Sequence, residues 1–217
     1  MSKKISIRQF LMRSGKFDKS YECIQAIRHG RATVNNKTVT NPDYFFNPKS
    51  LVKLDSVKIK KVPYLYFLMN KPAGYLSQKA ENEKTVYDLL QKLKLPENHV
   101  KSLFAAGRLD RDTEGLLLIT NDGKLSRFLM NSESGIIKKY RVILERMIDI
   151  NKIKMLEKGI RIGIGHEQYK TKPCKIKAVG GKELYISISE GKKRQIRKMF
   201  EVVGNKVVYL RRISIGG

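Results

Sequence analysis

The chain has 217 residues, with 45 Lys and Arg against 20 Asp and Glu and a formal net charge of +25 at neutral pH, a balance that calls for a polyanionic partner. Its hydrophobic content of 41 % is enough for a packed core and excludes a basic disordered tail, while the length suits one large domain or two small ones. Cys23 and Cys174 lie far apart with no Cys or His at metal-ligand spacing, which argues against a disulfide scaffold and a zinc site and fits a reducing compartment.

The N-terminal residues lack an apolar run of signal-peptide length, and no stretch approaches the roughly 20 apolar residues that cross a bilayer. A cytoplasmic protein with no membrane partner is expected. Residues 5–15 read as a helix with Ile7, Phe10 and Leu11 on one face and Gly15 as its stop. Ser20 opens a second helix, where Tyr21, Ile24 and Ile27 recur at helical spacing before Gly30. Ala32-Thr33-Val34 and Lys37-Thr38-Val39 flank Asn35-Asn36, a pair that tolerates the positive φ of a two-residue hairpin turn. Val52, Leu54, Val57 and Ile59 predict further strand. The first 61 residues thus form a helix-helix-β unit with 14 basic and 4 acidic residues, and the charged stretch ending at Pro63 predicts a linker.

Residues 62–217 are expected to form the second domain. Tyr64–Met69 reads as a strand, and Val86, Leu89, Leu90 and Leu93 recur at helical spacing. Leu116–Thr120 suits a buried strand, while Tyr140, Val142 and Leu144 alternate as in a half-exposed one. Leu184–Ser189 reads as a strand and residues 193–203 as a helix. The fold class that follows is α+β around a mainly antiparallel sheet.

Chemistry concentrates in residues 106–123, Ala-Gly-Arg-Leu-Asp-Arg-Asp-Thr-Glu-Gly-Leu-Leu-Leu-Ile-Thr-Asn-Asp-Gly. A Gly-bounded loop with three acids and two arginines runs straight into an apolar strand, so a rigid element carries a charged loop. Spacing alone leaves two readings open, a catalytic loop or a solvated one whose acids pair with its arginines.

The segment resembles the G-R-L-D-x-x-T-x-G-L-L-L-x-T-x-D-G signature of the RsuA/RluB/RluE/RluF-type rRNA pseudouridine synthases, with every specified position matched. Asn70-Lys71-Pro72-Ala73-Gly74 and Glu190-Gly191-Lys192-Lys193-Arg194-Gln195-Ile196-Arg197-Lys198-Met199-Phe200 agree with the same family. The N-terminal unit looks like the alpha-L RNA-binding domain of a small-subunit ribosomal protein. These resemblances imply isomerisation of uridine in ribosomal RNA, with rRNA or a ribosome-assembly intermediate as partner and a monomer as the working form. The atoms of the ring are retained, so no organic cofactor and no metal is expected.

By position, Asp110 matches the family's catalytic aspartate, Arg197 the cation that pairs with it, and Tyr140 the tyrosine that stacks on the target base. Ile196 matches an apolar pocket residue. Unaided, the residues also permit blander roles: Tyr140 as core, and Arg194, Arg197 and Lys198 as the basic face of an amphipathic helix. Arg108 is expected to fill the space left by an extruded nucleotide or to contact its phosphate, or else to pair with Asp112 or Glu114. Lys71, Lys138, Lys139 and Arg194 are expected to contact substrate, the three lysines through phosphate. Arg8, Arg28, His29, Arg31 and Lys37 form the expected RNA-docking surface of the first unit. Arg-Gln-Ile-Arg at 194–197 looks more like the large-subunit branch of the family than the small-subunit one. Two rival readings stand beside the enzyme: a non-catalytic ribosome-assembly factor on a synthase fold, and a glycosidase using Asp110 with Asp112 or Glu114. The charge counts against the second.

Overall fold

Residues 4–216 are described in a computed structural model, and the chain divides into two units, Met1–Tyr66 with Leu89–Phe104, and Phe67–Asp88 with Ala105–Gly217. Residues 1–3 and 217, which close the two expected domains, lie outside the described residues. The composition break at residues 61 and 62 falls just ahead of Tyr66, but it gives no sign that Leu89–Phe104 belongs with the first unit. Backbone contact explains that membership, since a Cβ on Gly15 would stand 1.9 Å from the carbonyl oxygen of Asn98.

The first unit begins with β1 (Ile5–Ser6) and α1 (Ile7–Arg13), whose N-terminus is capped by Ser6 Oγ accepting from the amide of Gln9. After α2 (Ser20–Arg28) come β2 (Ala32–Val34), β3 (Lys37–Val39), β4 (Phe45–Phe46), β5 (Val52–Leu54) and β6 (Val57–Lys58). Asn35 and Asn36 turn the β2–β3 hairpin with φ of 50° and 63°, as their side chains predict. Asp55 and Ser56 turn β5 into β6 in the same conformation, with φ of 49° and 66°. The strands form an antiparallel sheet in the order β3-β2-β5-β6, and β4 pairs with β1. Ile7, Phe10 and Leu11 are buried as α1's spacing requires. In α2 the inner face is Cys23, Ala26 and Ile27, and Tyr21 is 60 % exposed. The expected Tyr21–Ile24–Ile27 stripe is therefore rotated, because the small Cys23 and Ala26 face the core in its place.

The rest of the chain runs β7 (Tyr66–Lys71), α3 (Val86–Leu90), α4 (Glu97–Ser102), β8 (Phe104–Ala106), β9 (Glu114–Thr120), α5 (Gly123–Met130), β10 (Lys138–Leu144) and α6 (Ile150–Glu157). It ends with β11 (Arg161–Ile164), β12 (Glu167–Lys170), β13 (Lys175–Gly180), β14 (Glu183–Ile188), α7 (Gln195–Val202) and β15 (Val207–Ile215). The main sheet is ordered β13-β14-β10-β15-β9-β7, with β8 also on β9. β10 is antiparallel to β14 and β15, and β13 to β14, whereas β15 meets β9 in parallel. The fold is α+β. Along β10, Lys138, Tyr140, Val142 and Leu144 form the buried face, the alternation that the sequence displays. Both thiols are buried and unpaired, and burial pushes each up to about 12.

Gly15 has φ of +71° as well as no room for a Cβ. Gly15→Ala should therefore cost about 2 kcal/mol or more of stability, read as a lower denaturant midpoint for the whole protein.

Candidate active site

The loop between β8 and β9 is fixed at both ends by glycines. A Cβ on Gly107, whose φ is +84°, would lie 2.1 Å from Met130 Sδ. One on Gly115, φ +104°, would lie 2.2 Å from the carbonyl oxygen of Arg212, so the glycine lets β9 approach β15. Between them, Ser77 Oγ accepts from the Leu109 amide at 3.0 Å and donates to the Leu109 carbonyl at 2.8 Å. The Thr113 amide donates to the Asp110 carbonyl at 3.0 Å. The backbone of Asp110 is therefore held on both sides.

Lys71 is fully buried. Its ammonium donates to the carbonyls of Pro72 and Thr113, both at 2.9 Å, and of Arg111 at 3.4 Å. Burial lowers its pKa, against the opposing pull of Asp112, Asp110 and Glu114. The expected phosphate contact is thus corrected: an ammonium spent on three carbonyls beneath the loop has no reach to RNA, and it acts as an internal strut.

Asp112 joins this loop to α7. Arg194 grips its carboxylate with two bonds of 3.1 Å, and Arg197 Nη2 lies 3.1 Å from Asp112 Oδ2 and donates to the Asp112 carbonyl at 3.2 Å. Arg197 is buried, and its Nη1 donates to the Val207 carbonyl at 2.8 Å. Arg194, the residue before α7, has a left-handed backbone with φ of 53°. Burial alone would raise the Asp112 carboxyl, but the Arg194 hydrogen bonds and the two guanidinium charges outweigh it and hold the group below its ordinary value. The expected Arg197–Asp110 pair is corrected accordingly. Among the described residues Asp110 has no ion-pair partner, because Asp112 presents its side chain to α7 while Asp110 borders the cavity.

The start of α7 is braced from below. Buried Glu190 accepts from Gln195 Nε2 at 2.7 Å, from the Lys172 amide at 2.9 Å and from Tyr169 OH at 2.5 Å. The hydrogen bond to Glu190 pushes the Tyr169 phenol up to about 12.

A cavity of about 250 Å³ opens between the loop, β10, α7 and β15. Six of the expected residues line it: Arg108, Asp110, Lys138, Tyr140, Arg194 and Ile196. Arg197 stands behind the wall through Asp112. Arg108 is exposed and donates to Gln78 Oε1 at 3.1 Å, in place of the expected acids. Lys139 points to the other face of β10, outside the lining of this cavity, and lies 5.1 Å from the Tyr185 ring. Lys192, Lys193 and Arg212 also line the cavity. The first two lie inside a motif legible in the sequence, whereas nothing in the sequence singles out Arg212.

In the first unit, Arg28, His29, Arg31 and Lys37 are exposed and Arg8 is half-buried. Two of these charges have acidic partners, Arg8 with Asp43 at 3.5 Å and Arg31 with Asp55 at 2.6 Å. Among the described residues no group of three or more His, Cys, Asp or Glu is arranged to hold a metal, and no helix is long and apolar enough to cross a membrane.

Residues 65–202 match the family described as RNA pseudouridylate synthase. The chain belongs to that family. A Bacillus subtilis relative named as an uncharacterized RNA pseudouridine synthase, YtzG, is 43 % identical over 158 residues, which is 70 % of this chain and 63 % of its own length. The ribosomal large subunit pseudouridine synthase B of Bacillus subtilis is 32 % identical over 196 residues, covering 87 % of this chain and 76 % of its own. The ribosomal small subunit pseudouridine synthase A of Escherichia coli is 34 % identical over 193 residues, covering 88 % and 80 %. Among solved structures, a pseudouridylate synthase crystal structure superposes with a TM-score of 0.67 at 27 % identity, covering 98 % of this chain and 89 % of its own. The region that marks family membership holds the Asp110 loop, β10 and α7, and so most of the cavity wall.

Two consequences can be measured on the purified protein. Lys71→Met should cost about 3 kcal/mol, since it leaves three carbonyls without their donor, and chemical denaturation reads this directly. Asp112 contributes stability above the unfolded carboxylate value near about 4, and that contribution is lost as pH falls through its depressed folded value. The midpoint of unfolding of Asp112→Asn should therefore fall less steeply than that of the wild type in acid.

Proposed function

We propose that this protein isomerises uridine to pseudouridine in ribosomal RNA, with Asp110 as the catalytic carboxylate. The observation that carries this reading is one cavity bordered by Asp110, Tyr140 and Ile196 together, three residues from distant parts of the sequence that the family resemblance assigns to one reaction.

The reaction breaks the C1′–N1 glycosidic bond, turns the base and joins C5 to C1′. Asp110 serves by attacking C1′ or by removing a sugar proton, and afterwards by assisting loss of the C5 proton. Tyr140 offers its ring to the extruded base, and Ile196 closes the apolar side. Arg197 acts through Asp112 as a positioning residue. Exposed Arg108, Lys192 and Lys193 supply phosphate contacts at the rim, and the basic first unit supplies docking to structured RNA through Arg28, His29 and Lys37. Arg194-Gln195-Ile196-Arg197 favours the large-subunit RNA as substrate.

Tritium release from rRNA transcripts labelled at uridine C5 tests the reading. Wild type should release tritium, preferentially from the large-subunit transcript, and Asp110→Asn should lose at least about a thousandfold in rate with unchanged transcript binding. Binding without any release would leave a non-catalytic rRNA-binding protein.

A further inference from the structure

Lys138 and Arg212 are 4 % and 3 % exposed, and both line the cavity. Arg212 of β15 stands directly across from Tyr140 of β10, and Lys138, two residues before Tyr140, shares its buried face. Neither cation has an acidic partner among the described residues. Arg212 Nε donates to the Leu116 carbonyl at 2.7 Å, while its Nη2 is buried with no partner. The Lys138 ammonium has a single bond, at 3.3 Å to the Ile136 carbonyl. Burial and the neighbouring Arg212 charge both lower its pKa.

Two dehydrated cations side by side, one with an idle donor, are costly unless something negative arrives. Their burial, in contrast to the exposed Arg108, Lys192 and Lys193, and their place beside Tyr140 suit a bound base better than a backbone phosphate. Resting on the isomerase reading above, we propose that Arg212 and Lys138 receive the carbonyl edge of the extruded uracil and stabilise the charge it gains as its glycosidic bond breaks. By either chemical route the C1′–N1 electron pair leaves with the base and spreads from N1 onto O2 and O4. That charge is discharged when C5 bonds to C1′, the C5 proton departs and N1 is protonated. Donors placed where charge develops act mainly on rate. Where the carbonyl received is O4 they also select uracil, because cytosine presents an amino group at that position.

The test uses single-turnover tritium release from three rRNA transcripts, tritiated at C5 of uridine, 2-thiouridine or 4-thiouridine. Sulfur accepts hydrogen bonds more weakly than oxygen, so wild type should be slowed about tenfold or more by one of the two thio substitutions. Arg212→Gln should lose about a hundredfold on the uridine transcript and treat uridine and that thiouridine alike within about threefold, with transcript affinity unchanged. Arg212→Lys should recover part of the rate. Lys138→Gln gives an independent reading should the Arg212 variants fail to fold. Wild type that is active but indifferent to both thio substitutions overturns the assignment. So does a variant that keeps wild-type thio selectivity but binds transcript more weakly with a shallower salt dependence, the signature of a phosphate contact. Wild type that releases no tritium from any transcript fails the isomerase reading itself.

Discussion

The grip of Arg194 and Arg197 on Asp112 is the constraint on which the site depends. It ties a loop between two strands to the start of a helix more than eighty residues later, and so determines where Asp110 stands relative to Ile196. The carboxylate is 46 % exposed, so solvent screening leaves the ion pairs a modest share of total stability. Their value is geometric. A bidentate guanidinium fork fixes direction as well as distance, and Arg194 does so from a left-handed backbone that a non-glycine residue adopts only when its surroundings hold it there. Glu190 contributes from the other side by fixing Gln195, so the first turn of α7 is anchored before its arginines reach the loop.

The charges around the cavity are unequal in kind. Asp110 is the one acid among its described lining residues, set among Arg108, Arg194, Lys192, Lys193, Lys138 and Arg212. The exposed cations at the rim attract a polyanion from a distance and are weakened by salt. The buried pair is screened far less and acts only on what enters. Lys71 belongs to neither group, since its charge is consumed by the carbonyls of the loop it supports.

Much of the fold is legible in the sequence where local chemistry decides it. Asn35-Asn36 announces its turn because few residues accept positive φ, and β10 alternates because one face must be buried. Asp55-Ser56 adopts the same turn but is a weaker signal, since Ser is at home in many conformations. β15 goes unread because adjacent Arg211 and Arg212 break its alternation, although Arg212 is buried and Arg211 is not. The site is legible through its motifs, yet side-chain direction in a loop has no period. The sequence therefore cannot tell which of Asp110 and Asp112 meets Arg197. Lys71 is misread for a related reason: a lysine beside Pro and Gly suggests a surface turn, and only the folded backbone reveals three carbonyls converging on it.

The two thiols have a practical consequence. With Cys23 and Cys174 both buried and raised to about 12, neither supplies appreciable thiolate at neutral pH, so the native protein offers alkylating dyes almost no background. A single cysteine introduced at an exposed rim position would carry a fluorophore alone, and the arrival and departure of RNA could be followed optically without first removing the natural sulfurs.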